Sequence, residues 1–132
     1  MAERYFSPDE VEALIPQLTT LMGEVIERHA EMNALRETVG EERQRLAMVG
    51  GGVPAPEWRE AASRLDRMTK EVEERLNAVL AMGGVPKDLS IGLVDFPHLR
   101  EGREVNLCWK HGEREIRFWH GLDEGFASRK PL

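Results

Sequence analysis

Gly50-Gly51-Gly52-Val53-Pro54-Ala55-Pro56 joins three flexible glycines to two prolines and cannot continue a helix. On its N-terminal side the chain carries Val11, Leu14, Leu18, Leu21, Val25, Arg28, Met32, Leu35, Val39, Glu42, Leu46 and Val49, a 3,4 spacing interrupted only by Arg28 and Glu42. On its C-terminal side Trp58, Ala61, Leu65, Met68, Val72, Arg75, Val79 and Met82 repeat the spacing, with Arg75 the single break. Each series lays one apolar stripe along a helix, and two stripes joined by a short breaker pack against each other in coiled-coil fashion. The segment therefore reads as the turn of a long antiparallel helical hairpin, helix 8–47 followed by helix 57–82.

Working outward, both ends of the hairpin carry their own signals. Ser7-Pro8-Asp9-Glu10 has the form of a capping box, with Ser7 as N-cap, Pro8 at the first helical position and Glu10 reaching back. Phe6 and Val11 are spaced for a hydrophobic staple. Gly83-Gly84, with Pro86 two residues on, stops the second helix. A first helix of 40 residues would run roughly 60 Å, so interruptions matter. Pro16 predicts a kink, because its ring opposes the carbonyl of Glu12 and removes one hydrogen bond. Ile15, Met22 and Ile26 widen the stripe in the first half, as expected where a helix packs on both its partner and a sheet. Arg28 and Glu42 are expected near an end of the partner helix or in solvent, and Glu24, Glu27, Glu31, Glu71, Glu73 and Glu74 on solvated faces.

Beyond Lys87-Asp88 the period changes from helical to alternating. Ile91 to Phe96 reads as a short strand ended by Pro97, and Leu99-Arg100-Glu101-Gly102 as a turn. Arg103–Lys110 and 114–120 read as a C-terminal hairpin turning at His111-Gly112-Glu113, with Val105, Leu107, Trp109, Ile116 and Phe118 on the face toward the helices. Asn106, Cys108, Lys110, Glu115, Arg117 and Trp119 fall on the other face. Trp119 is out of place there, and is expected under the C-terminal tail or as an anchor for a partner. Leu122 and Phe126 predict that the tail 121–132 packs back. The fold class is thus α+β, a helical hairpin followed by a small antiparallel sheet over 90–120, within a single domain of 132 residues.

Composition narrows the function classes. The net charge is −6, and residues 1–82 hold 16 acidic and 10 basic side chains against 8 of each in 83–132. The hairpin carries the whole acidic excess, which repels a duplex, so no nucleic-acid partner is expected. No apolar run approaches the roughly 20 residues needed to span a bilayer, and Met1-Ala2-Glu3-Arg4-Tyr5 lacks the form of a signal peptide. Cys108 is the only cysteine, so no intramolecular disulfide and no multi-cysteine zinc site can form. A cytoplasmic location without a membrane partner is the expectation.

Leu93-Val94-Asp95-Phe96-Pro97, Gly102-Arg103-Glu104-Val105, Leu107-Cys108-Trp109 and Trp119 through Phe126, together with Tyr5-Phe6 and the hairpin, resemble an uncharacterised prokaryotic family, domain of unknown function 2203. The resemblance covers nearly the whole chain. It implies this fold and a bacterial or archaeal origin, and transfers no catalytic role. Some relatives carry a division-protein label, of a kind that long coiled-coil helices attract.

Chemistry, if any, centres on Asp95, His120, Asp123 and Glu124, which come from a strand end and the loop after another strand. His120 and Asp123 lie three residues apart in a turn, and Asp95 could add a third donor, a set suited to a divalent zinc, iron or manganese ion. The bland alternative is that the carboxylates cap backbone N–H groups and His120 makes a structural hydrogen bond. His29, His98 and His111 read as structural or solvated. Cys108 lies mid-strand without a nearby base, which argues against a nucleophile. Gly50-Gly51-Gly52 has no preceding strand and no following Lys-Ser/Thr, so it is no phosphate loop. Two function classes follow: a non-enzymatic interaction or structural module whose hairpin self-associates as a homodimer or higher or binds a protein partner, and a divalent-metal- or small-ligand-binding protein, hydrolytic in its strongest form.

Overall fold

The computed structural model describes residues 2–132. The first helical segment is α1, Pro8–Glu12, and the capping box forms: the Ser7 hydroxyl accepts from the Glu10 N–H at 3.1 Å, and the Glu10 carboxylate accepts from the Ser7 N–H at 2.9 Å. Rather than kinking, the chain breaks. Ala13 and Leu14 lie in a turn, and α2 begins at Ile15 and runs to Met48. Pro16 thus occupies the first turn of a new helix, where its missing N–H has no partner to lose. The same proline that would disrupt a continuous helix starts a second one well.

Helix α3, Pro56–Ala81, packs against α2. Cross-helix pairs join Glu24 to Arg75, Arg28 to Glu71, Glu31 to Arg64 and the Val39 carbonyl to the Trp58 indole N–H. Numbers rise on one helix as they fall on the other, which is antiparallel. Arg28 is therefore neither at a helix end nor free in solvent; it is a partly buried partner of Glu71 at 2.6 Å. Glu42 accepts from Arg45 and from the Ala55 N–H at the start of α3, tying the connection across. Three of the carboxylates expected on solvated faces, Glu24, Glu31 and Glu71, pair across the hairpin. Each such half-exposed pair is worth about 0–1 kcal/mol, so they set register more than stability. Stability comes from the stripe: Val11, Leu18, Val25 and Met32 are buried in one cluster with Met68, Val72 and Val79.

The sheet has five antiparallel strands in chain order: β1 Val85–Asp88, β2 Leu93–Arg100, β3 Arg103–Lys110, β4 Phe118–His120 and β5 Lys130–Pro131. It begins earlier and ends later than the expected 90–120, taking a strand from the stop signal of α3 and another from the tail. The long hairpin is β2–β3, not 103–110 with 114–120. Its turn residues Glu101 and Gly102 both have positive φ, 53° and 78°, the handedness that two-residue hairpin turns require. Pro97 does not end β2. Its carbonyl faces away from β3 and accepts from the Phe6 N–H at 2.7 Å, beyond the point where β1 has stopped, so its missing N–H costs no ladder bond.

Residues 111–117 form an irregular loop, and only then does β4 pair with β3, Asn106 with His120 and Leu107 with Trp119. That register exchanges the expected faces. Trp119 shares the helix-facing side with Val94, Phe96, Leu107 and Trp109 and packs on the core, while Phe118 turns to the other side. The loop is nonetheless held: Glu12 accepts from the Ile116 N–H at 3.0 Å, and the His111 ring docks on α2 at Gly23 and the Thr19 carbonyl. The tail is tied by β5 and Arg129, while Leu122 and Phe126 lie over the sheet only in part and remain largely exposed. Among the described residues no helix is long and apolar enough to cross a membrane.

Candidate metal centre

The face of the sheet away from the helices carries every second residue of β2, β3 and β4. Asp95 pairs directly with Cys108, and His120 pairs with Asn106, two residues along β3 from Cys108. The three side chains meet: one donor atom from each of Asp95, Cys108 and His120 lies within 4.8 Å of the others, and all three residues are 3% exposed or less. The tail covers them. Leu122, Gly125 and Phe126 close a cavity of about 90 Å³ whose inner wall is Asp95, Cys108 and His120. That is room for an ion, its water and little else.

The hydrogen bonding of this group is unusual for a buried site. His120 Nδ1 lies 2.8 Å from the Gly121 carbonyl oxygen, which can only accept, so Nδ1 carries a hydrogen and donates. The other nitrogen, Nε2, stands 3.0 Å from Asp95 Oδ2, itself an acceptor. Two lone pairs cannot face each other in a buried site, so a second imidazole proton, a carboxyl proton on Asp95 or a metal ion must lie between them. Asp95 Oδ1 is buried with no hydrogen-bond partner in the protein. Burial, and then the Asp95 carboxylate, push the Cys108 thiol up to about 12, so without a cation the sulfur stays protonated and inert.

These residues fit a transition metal. Imidazole, thiolate and carboxylate are the usual zinc donors, and a tetrahedral ion about 2.0–2.3 Å from each would hold them roughly 3.3–3.6 Å apart, a few tenths of an ångström from where His120 and Asp95 already stand. The bond from Nδ1–H to a backbone carbonyl is the outer contact that metal-bound histidines commonly make, and it aims Nε2 at the cavity. Three protein donors leave one position open.

Of the four residues read from sequence, Asp95 and His120 converge at this point. Glu124 lines the cavity, but its carboxylate accepts from the Gly121 N–H at 2.7 Å and from Lys130. Asp123 is exposed and does not line it. Cys108, set aside for lack of a sequence-near base, is the third member of the group. Its signal was available in the alternation: Asp95 and Cys108 occupy the same face once β2 and β3 pair across Glu101-Gly102, but reading Pro97 as a strand end hid that pairing.

Two of the other histidines make structural contacts. His98 Nδ1 bonds the Phe6 carbonyl at 2.6 Å, and His111 stacks edge-on to Trp109 at 6.1 Å. No curated protein and no solved structure matches the chain. One family model, described as "Uncharacterized conserved protein (DUF2203)", matches residues 4–132.

Proposed function

The chain belongs to the DUF2203 family, and from that premise we propose that this protein binds one zinc-class divalent ion through Asp95, Cys108 and His120. The observation that carries the reading is the close approach of His120 Nε2 to Asp95 Oδ2 at 3.0 Å, with the orphaned Asp95 Oδ1 and the Cys108 sulfur beside them. A bound ion would replace the thiol proton, satisfy the carboxylate and leave one position for water, which such a centre activates near neutral pH.

The test is titration of metal-stripped protein with Zn²⁺ and, separately, with Co²⁺. One equivalent is expected to bind, with protons released from the Cys108 thiol and a thiolate-to-cobalt absorption band. C108S, H120A and D95A should each weaken binding by roughly 10-fold or more. The C108S protein should also lose the cobalt band while keeping its helical circular dichroism. If the native protein takes up no ion, or binds it equally well without Cys108, the reading fails.

A second reading, an interaction module that self-associates through the hairpin, is favoured by one feature. Met48, Val49 and Val53 stand exposed together at the hairpin tip. Light scattering across a concentration series distinguishes it: native protein should grow in mass where M48S/V49S does not, and a monomer at all concentrations would count against it.

A further inference from the structure

The tight turn Glu101-Gly102 sets Arg100 directly opposite Arg103 on the last rung of the β2–β3 ladder. Like charges in that position destabilise an antiparallel pair. Among the described residues neither guanidinium has a carboxylate partner, although carboxylates are near. Glu104 accepts instead from the Tyr5 hydroxyl at 2.8 Å and the Ala2 N–H at 3.1 Å, and Glu124 from Gly121 and Lys130. Glu101 lines the same space and bonds neither arginine. In a chain of net charge −6, two unneutralised arginines held side by side need a physical reason.

The space they face supplies one. Arg100, Arg103, Lys130 and Trp119 line a cavity of about 600 Å³ together with three carboxylates, of which Glu104 is taken up by Tyr5 and Ala2 and Glu124 by Gly121 and Lys130. The Trp119 ring holds two of its cations, the Arg100 guanidinium and the Lys130 ammonium, each 4.8 Å from the ring centre. Trp119 is thereby a positioning residue, fixing Arg100 and Lys130 at the cavity wall. Lys130 is already paired with Glu124, so the guanidinium forks of Arg100 and Arg103 are the cations left at this concavity, and they suit a tetrahedral dianion because guanidinium groups bind phosphate oxygens in pairs. We propose that this cavity binds a phosphate dianion, presented by a small phosphate monoester. The acidic hairpin repels a polyanion, which selects a small ligand over a nucleic-acid backbone. Leu122 and Glu124 line both this cavity and the Asp95–Cys108–His120 cavity, so the two are neighbours, but the phosphate site does not depend on a metal.

The experiment is calorimetric titration of the metal-stripped full-length protein with inorganic phosphate at low ionic strength, with acetate as the monoanion control. Saturable phosphate binding is expected in the native protein and in C108S, which separates this site from the metal centre. R100Q and R103Q should each weaken it roughly tenfold or more, the loss of one charge-assisted contact. Arg103 is exposed and unpaired, so R103Q should fold normally and, without phosphate, melt at or above the native temperature because the repulsion is gone. Phosphate should raise the melting temperature of the native protein and not that of R103Q. The proposal is overturned if phosphate gives no saturable signal, if acetate binds as tightly, if both arginine variants bind undiminished, or if binding disappears in C108S.

Discussion

Cys108 illustrates how little a residue's identity says about its chemistry. Its side chain is 1% exposed and its thiol is pushed up to about 12, against an ordinary value of 9.0. The thiolate is the reactive form, so a protonated, enclosed sulfur should resist thiol reagents. Metal-stripped native protein at pH 8 is expected to give almost no reaction with a disulfide reagent, and one full equivalent once urea unfolds it. Rapid labelling of the folded state would show that the tail does not cover the site. At the same scale, Asp95 and His120 were legible as donors because their residue types and loop-adjacent positions suggested them. Cys108 was not, since nothing local distinguishes a mid-strand cysteine in an inert wall from one facing a cavity.

Helix α1 and the stop after α3 can be tested as elements. The Glu10 carboxyl is held below its ordinary value of 4.5 by the Ser7 backbone N–H, then by Arg4 and the Ser7 hydroxyl. A carboxylate lowered in the folded state contributes stability that is present above its unfolded value and lost as pH falls through the folded one. Stability should thus decline below about pH 4.5, and E10Q should flatten that acid limb while lowering stability at pH 7. Denaturant melts at pH 3 to 7 measure it. Gly83 ends the hairpin with φ +99°, and a Cβ there would stand 2.3 Å from the Phe6 ring, itself edge-on to Phe96 at 5.2 Å. G83A combines a disfavoured backbone with an overfilled core and should cost roughly 2–4 kcal/mol, read as a lower urea midpoint. A loss under 0.5 kcal/mol, on the order of an ordinary surface change, would mean the N-terminal segment can leave its seat. Element boundaries fared according to how local their causes were. The capping box, the glycine stop and the 50–56 connection act over a few residues and were readable. Pro16 was readable as a problem but not as its solution, because whether a proline kinks a helix or opens a new one depends on where α2 must point to meet the sheet.

For the whole molecule, the arrangement is a helical hairpin bearing a five-stranded sheet, with the candidate site on the far face of that sheet under the tail. The hairpin was determined by the sequence alone, and the reason is that helix pairing repeats every three or four residues, so its evidence accumulates along the chain. Fold class and the general region of the site, after the second helix, came with it. Only the tertiary structure decided the sheet. Strand register depends on which distant rung meets which: a turn was legible at 99–102, but ending the first strand at Pro97 left it without the β2–β3 ladder, and the β3–β4 pairing was read one residue out of register. That shift exchanged the faces of Phe118 and Trp119. It also separated Cys108 from the carboxylate and imidazole beside which it is buried. A site assembled from three strands exists only once their pairing is known, because the donors share no local pattern and are joined by the ladder alone.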